Sequence, residues 1–336
     1  MKSANNPEQQ LAAYPKLDLL DPVSLWRGMV WLRSYDERAV ALQRQGRIGT
    51  YATFWGEEAV QVGAVAAIRH SDWLFPTYRE NGIVTLRGLP LERAWSYFRG
   101  DPGALFNPVE YGCAPQSVPL ASHLSHAVGW AWSRMITGHD DVALAFFGDG
   151  ASSEGEAHEA LNLAGVMRAP VVFLCVNNQW AISTPVSRQT AAKQLVDKAI
   201  GYGITGERID GFDVAEVAES LRVAVERARG GNGPSLIEAF CYRIGPHATA
   251  DDPSLYRSSA DEDHWRAMEP IGRIEERLIE EGLLSRSQAQ AYREVVRTTM
   301  LEAAHRLDLL PFPDRSWLAK GTFSSMVPMH EEGYVQ

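Results

Sequence analysis

One stretch constrains the fold of this chain more than any other. Val142 to Phe147 (VALAFF) is an apolar run of strand length, and Pro170 to Val176 (PVVFLCV) is a second. Between them Ala157, Ala160, Leu161, Ala164 and Met167 recur at helical spacing. Ser153, with Glu156 three residues on, reads as a capping box that starts the helix at Ser153. Two buried strands joined by one helix make a β-α-β unit. The strands are then parallel, with a right-handed crossover, and deliver their last residues to the same edge of the sheet.

What stands at that edge gives the unit its chemistry. Gly148-Asp149-Gly150 closes the first strand and Asn177-Asn178 closes the second. Asp149 offers a carboxylate and Asn178, 29 residues later, an amide oxygen. Magnesium takes hard oxygen ligands in near-octahedral geometry and is commonly held by one or two protein groups plus phosphate oxygens. Gly148 and Gly150 remove side chains where a phosphate must approach the backbone. The helix N-terminus beyond them, with the amide of Ala151 nearby, favours an anion. A Gly-Asp-Gly triplet or an Asn-Asn pair alone is an ordinary turn. Strand, GDG, helix, strand and NN in this order form a site for a magnesium diphosphate at the carboxyl end of a parallel sheet.

GDG followed by NN about thirty residues on is the magnesium–thiamine diphosphate motif. The run from Gly148 to Pro185 (GDGASSEGEAHEALNLAGVMRAPVVFLCVNNQWAISTP) resembles the alpha subunit of the decarboxylase component of 2-oxo acid dehydrogenases, the family of the pyruvate and branched-chain enzymes. Three separated segments agree, in the family's order: YATFWGEEAVQVG at Tyr51–Gly63, FPTYRE at Phe75–Glu80, and YRIGPHATADDPSLYRS at Tyr242–Ser258. The resemblance runs from about Leu25 to Trp265.

The resemblance implies an α/β fold, a parallel sheet flanked by helices of the thiamine diphosphate-binding type, with N-terminal and C-terminal helical extensions. It implies Mg2+ held by the side chains of Asp149 and Asn178 and the backbone carbonyl of Trp180. Gly148, Gly150 and Ala151 would meet the diphosphate, with Tyr78 and Arg79 reaching the same phosphates; a guanidinium can bind two phosphate oxygens at once. Val118 and Leu120 match positions whose backbone grips the aminopyrimidine ring. His247 matches a histidine that lines the thiamine channel and assists acyl transfer to lipoamide, a task suited to a group whose proton affinity lies near working pH. Arg243, Asp251, Tyr256 and Arg257 would order its loop, of a kind that closes over water-sensitive chemistry.

The implied reaction is oxidative decarboxylation of a 2-oxo acid, with the acyl group passed to a lipoyl-bearing acyltransferase. The carboxylate that activates the cofactor comes from a beta subunit in this family, so the chain is expected to be inactive alone and to work as an α2β2 heterotetramer. Glu57 and Glu58 in GEEA are not assigned as that base, because the family places this segment near the substrate channel. SEGE-HEALN and PLASH lean towards the branched-chain type; YRIGPHATADDPSLYR and LQRQGRIGTYA lean towards bacterial pyruvate dehydrogenases. Pyruvate is narrowly preferred, then branched-chain 2-oxo acids, then acetoin, with a non-catalytic subunit as a further alternative. Ala248 stands where mammalian enzymes carry a regulatory serine, while Ser258 occupies the second such position. Val176 replaces an arginine that touches phosphate in the branched-chain type. His123 and His126, three apart without a carboxylate partner, read as packing residues, near a monovalent-cation position of some relatives.

Composition limits the rivals. A net charge of −10 over 336 residues argues against nucleic acid, whose phosphates need a basic surface. No GxGxxG follows an early strand, which weakens a nicotinamide enzyme. A stand-alone thiamine enzyme would need a second domain. The N-terminus lacks a signal-peptide hydrophobic segment and no apolar run reaches the length of a membrane span. Cys113, Cys175 and Cys241 lie far apart without metal spacing, and Cys175 and Cys241 read as buried thiols, so a reducing cytoplasm is expected. Trp130 and Trp132 are candidates for subunit contacts. Residues 1–22 read as an N-terminal arm, 23–310 as the cofactor-binding domain with its terminal helices, and 311–336 as a C-terminal tail. Within the domain, helices are expected over 86–100 and 264–308, strands near 142–147, 170–176 and 235–241, and a further strand and turn over Ile209 to Val214.

Overall fold

The computed structural model describes residues 15–101 and 104–311. The expected arm up to residue 14 and the tail beyond residue 311 lie outside the described residues. Five strands form one sheet: β1 (Trp73–Phe75), β2 (Ala143–Gly148), β3 (Val171–Asn177), β6 (Thr205–Asp210) and β7 (Ser235–Phe240). Their order is β1-β2-β3-β7-β6 and every neighbouring pair is parallel. A short antiparallel ribbon, β4 (Trp180–Ala181) and β5 (Thr184–Pro185), stands after β3. The longer helices are α1 (Pro22–Arg44), α2 (Glu58–Ala66), α3 (Ser122–Ile136), α4 (Gly155–Met167), α5 (Val214–Arg229), α6 (Pro270–Glu280) and α7 (Arg286–Leu309).

The central strands are buried along their lengths, and successive residues point to opposite faces. Val142, Leu144, Phe146, Val172, Leu174 and Val176 join one apolar cluster with residues of α1, α2, α5, α6 and α7. Ala143, Ala145, Phe147, Val171, Phe173 and Cys175 join a second with α3 and α4. Small residues on the second side (Ala143 and Ala145 against Ala127, Ala131, Ala157, Ala160 and Ala164) bring α3 and α4 close to the sheet. All three cysteines are buried free thiols.

Asp72 ties the amino ends of β1 and β2 to the end of α5. It is fully buried, accepts from the Val142 amide at 2.8 Å and the Arg69 amide at 2.8 Å, and takes a bidentate fork from Arg229 at 3.2 and 2.7 Å. Asp72→Ala would strip Arg229 of its bidentate partner and the Val142 and Arg69 amides of their acceptor, leaving Arg229 only Glu226 at 3.1 Å and the Asp140 carbonyl, a loss of about 1–3 kcal/mol. Urea denaturation is expected to show it as a lower midpoint with little change in slope.

Several boundaries differ from the sequence reading. The capping box at Ser153 and Glu156 does not form: Gly150–Ser153 is a 3-10 turn, and α4 begins at Gly155 after Glu154. The chain spends that turn carrying Asp149 round the sheet edge, so the helix starts two residues late. The expected helix over 86–100 is broken into a 3-10 turn at Ile83–Arg87, a helix at Leu91–Ser96 and a second 3-10 turn at Tyr97–Arg99. Gly88 takes φ +101 and Pro90 follows it, a pairing that ends one helix and begins another. The strand expected at Ile209–Val214 begins at Thr205, and Val214 already opens α5, whose N-cap Asp213 accepts from the amides of Ala215 and Glu216. As an edge strand with four exposed leading residues, Thr205–Asp210 carries little apolar signal. In the last region the described helices are Ser259–Arg266, α6 and α7, with Ser258 capping the first of them through the amide of Asp261.

Candidate active site

Parallel pairing places the ends of β2, β3 and β7 side by side. Gly148 pairs with Val176, and Asn177 with Phe240, so Asp149, Asn178 and Arg243 leave the sheet along one edge. A cleft of about 640 Å³ opens there. All eleven residues singled out from the sequence line it: Tyr78, Arg79, Val118, Leu120, Gly148, Asp149, Gly150, Ala151, Asn178, Trp180 and His247. They come from segments up to 169 positions apart.

The backbone around the cleft is held in unusual conformations. Ala121, Gln179 and Ile182 have φ of +62°, +72° and +55°, the left-handed region that side chains other than glycine seldom adopt. Gln179 makes the turn between Asn178 and the β4–β5 ribbon. Pro119, between Val118 and Leu120, is pinned through its carbonyl by the hydroxyls of Ser117 at 3.1 Å and Ser122 at 3.0 Å. Val118 and Leu120 are themselves exposed apolar side chains at the cleft.

The donor set at the sheet edge is made of hard oxygens. Asp149 is 2% exposed, and burial raises its carboxyl above the usual range against the pull of Gln189, whose Nε2 donates to Oδ2 at 2.7 Å. Gln189 carries no sequence signal of its own; it follows the short turn after β5. Its Oε1 is buried without a partner. Asn178 donates through Nδ2 to Glu57 at 2.7 Å and accepts at Oδ1 from the Trp180 amide at 3.2 Å. The Trp180 carbonyl accepts from Arg243 at 2.9 Å, which leaves its second lone pair. A Cβ at Gly148 would meet nothing within 4 Å, so the backbone there faces open space. Buried oxygens, an unpartnered amide oxygen and an open backbone edge fit a hard divalent cation carrying a diphosphate.

Arg79 lines the cleft and also ties two distant segments to it. Its guanidinium donates to the Thr53 carbonyl, to the His247 carbonyl at 3.2 Å and to His247 Nδ1 at 3.0 Å. Its Nε lies 3.9 Å from Glu57. Tyr78 packs edge-on against the His247 ring, with centroids 6.0 Å apart. A guanidinium only donates, so Nδ1 is an acceptor and the neutral ring carries its proton on Nε2. Burial, then the charges of Arg79 and Arg243, push the His247 pKa down to about 4. The imidazole is therefore neutral at pH 7, well below the working-range proton affinity expected from its residue type. Its loop is tied down by the residues expected to order it. Asp251 accepts from the His247 amide at 2.7 Å and from the Tyr256 hydroxyl, and Arg257 donates to the carbonyls of Arg243 and Gly245.

Glu57 is the main addition. It is 1% exposed, lines the cleft, contacts Asn178, and has its pKa raised to about 8 by burial against the opposing pull of Arg79. Its neighbour Glu58 is instead structural, pairing with Arg33 at 2.6 Å and accepting from the Gly56 amide at 2.9 Å. His123 is buried and its Nε2 lies 2.6 Å from the Phe146 carbonyl, which agrees with a packing residue, although it also lines the cleft.

Comparison with known proteins extends this picture. The family model described as dehydrogenase E1 component matches residues 27–314. The chain is 47% identical over 282 residues to the 3-methyl-2-oxobutanoate dehydrogenase subunit alpha of Mycobacterium tuberculosis, covering 83% of this chain and 77% of that protein. It is 36% identical over 322 residues to the human mitochondrial 2-oxoisovalerate dehydrogenase subunit alpha, covering 93% and 72%. It is 34% identical over 322 residues to the pyruvate dehydrogenase E1 component subunit alpha of Acholeplasma laidlawii, covering 95% and 93%. Among the described residues no helix is long and apolar enough to cross a membrane. The chain belongs to the dehydrogenase E1 component family, as an alpha subunit of the thiamine diphosphate-dependent 2-oxo acid dehydrogenases.

Proposed function

We propose that the chain is the alpha subunit of a branched-chain 2-oxo acid dehydrogenase that uses thiamine diphosphate with Mg2+. The gathering of the eleven residues round one cleft, with Asp149 and Asn178 at the ends of neighbouring parallel strands, carries the cofactor part of this reading. The branched-chain preference rests on identity: 47% and 36% to the two branched-chain relatives against 34% to the pyruvate one. It replaces the narrow preference for pyruvate drawn from short motifs. Pyruvate remains the second reading, because that relative matches over 95% of this chain.

In this reading Asp149, Asn178 and the Trp180 carbonyl hold Mg2+. The backbone at Gly148, Gly150 and Ala151, with Tyr78 and Arg79, receives the diphosphate, and Val118 and Leu120 seat the aminopyrimidine ring. When bound, thiamine diphosphate supplies the nucleophile and the electron sink for loss of carbon dioxide. His247 offers its Nε2–H to a substrate oxygen and holds that proton for transfer of the acyl group to a lipoyl partner. The ordered loop keeps water from the reacting carbon. A beta subunit completes the site in an α2β2 assembly. Exposed Trp132, Met135 and Ile136 on α3, with Leu163 and Val166 on α4, support a covered surface on that side of the sheet.

The test is turnover by this chain co-expressed with its beta subunit, with pyruvate, 3-methyl-2-oxobutanoate and acetoin as substrates and an artificial electron acceptor. The expected result is no turnover by the single chain, and kcat/KM for 3-methyl-2-oxobutanoate at least about tenfold above pyruvate, the discrimination one or two buried methyl groups provide. The reverse ratio would establish the pyruvate reading. A formed complex with bound cofactor and no turnover would leave the non-catalytic alternative.

A further inference from the structure

We propose that Glu57 is a positioning residue that fixes which end of the Asn178 amide serves as the metal ligand. The proposal rests on the reading above, in which Asn178 ligates Mg2+. A primary amide has two chemically different ends of nearly the same shape. Its oxygen suits a hard cation; its NH2 group, with the lone pair delocalised, does not. An asparagine ligand therefore needs something to decide its orientation, and outer partners do this for metal ligands in general.

Two neighbours decide it here. Glu57 Oε1 lies 2.7 Å from Asn178 Nδ2, and the Trp180 amide lies 3.2 Å from Oδ1. Ionised, or protonated at Oε2, Glu57 accepts at Oε1, and the amide nitrogen faces it. The Trp180 N–H only donates, so the oxygen must face the other way. Of the two contacts, only the one to Glu57 comes from outside the local turn, 121 positions away.

The fold places Glu57 for this task. It stands at the N-terminus of α2, where an acidic side chain commonly caps its own helix, yet it makes no such cap bond. Gly56, at φ +97, lets the preceding turn press against the end of β7: a Cβ there would lie 2.4 Å from the Tyr242 carbonyl. This approach seats Glu57 beside Asn178, while Glu58 takes the structural ion pair with Arg33.

The test is a calorimetric titration with MgCl2 at saturating thiamine diphosphate, on the full chain co-purified with its beta subunit. Glu57→Leu is expected to weaken Mg2+ binding about 10–100-fold, the range typical of outer partners. Glu57→Gln keeps an acceptor oxygen and is expected to restore most of that loss. The distinguishing readout is the same substitution in an Asn178→Asp background. A carboxylate has oxygen at both ends, so orientation ceases to matter, and Glu57 becomes a repelling neighbour. There, Glu57→Leu is expected to leave Mg2+ affinity unchanged or to raise it. An equal loss in both backgrounds would overturn the proposal in favour of a general structural role. If Asn178→Ala abolishes binding while Glu57→Leu does nothing, the proposal fails and the metal site stands. If Asn178→Ala leaves Mg2+ affinity intact, both fall. Should Glu57→Leu not fold, the conservative Glu57→Gln in the Asn178→Asp background carries the test. An amide in place of the opposing carboxyl group is expected to leave Mg2+ affinity unchanged or to raise it there, and a loss would overturn the proposal.

Discussion

Asp149→Ala is expected to abolish magnesium-dependent binding of thiamine diphosphate and to leave the fold intact. Asp149 is the carboxylate at the junction of β2 and the cleft, buried to 2% exposure, with Gln189 as its hydrogen-bond partner. Outer partners of a metal ligand cost about 10–100-fold in affinity, so loss of the charged ligand itself should exceed the upper end of that range. The stability side has the opposite sign. Burial raises the Asp149 pKa in the folded chain. Its stabilising contribution is therefore fully present only below the unfolded carboxyl pKa and is lost as pH rises through the folded one. The alanine variant should thus melt no lower than the parent without metal, yet gain nothing from magnesium and cofactor. Unchanged cofactor affinity in a calorimetric titration would remove Asp149 from the metal site.

His247→Ala should cut kcat for acyl transfer by about 10²–10⁴-fold, the usual range for one positioned proton-transferring group, with cofactor affinity little changed. Burial, reinforced by Arg79 and Arg243, holds the His247 pKa down to about 4. Activity that depends on its Nε2–H should be flat across pH 6–8; a fall is expected only towards pH 4, where protonation at Nδ1 removes the acceptor for Arg79 and frees the ring. For stability, a histidine of depressed pKa favours the folded state fully above the ordinary histidine value near 6.5. That contribution is lost as pH falls from about 6.5 to 4, because the unfolded chain takes up the proton first. The cofactor-free parent should therefore lose more stability than His247→Ala across that window. An unaltered kcat, or an activity limb centred near pH 6.5 that the alanine variant lacks, would contradict this assignment.

The legible part of this molecule lies where burial is complete and local. VALAFF and PVVFLCV announced β2 and β3 because a fully covered parallel strand must be apolar throughout. Their terminal GDG and NN marked the sheet edge because parallel strands end together. The eleven residues matched to cofactor and metal positions line one cleft. Elements under weaker local constraint differ from what their sequence suggests. The edge strand from Thr205 has an exposed leading half, the segment at Gly88–Pro90 breaks what looked like one helix, and the turn at Gly150–Ser153 displaced the expected cap.

Interactions between distant segments were decided by the tertiary structure alone. Nothing near Glu57 in the chain says that it meets Asn178 while Glu58 meets Arg33; the approach of Gly56 to Tyr242 separates their roles. Gln189 reaches Asp149 only because the loop after β5 folds back over the edge. Arg79, matched to a phosphate ligand by type and motif, also meets His247 from 168 positions away and sets its tautomer. Sequence by itself determined the β-α-β frame, its carboxyl edge and the kinds of groups placed there, because these follow from periodicity and short-range turns. Charge state, tautomer and amide orientation depend on desolvation and on partners 100 or more positions away, and only the folded chain brings those together.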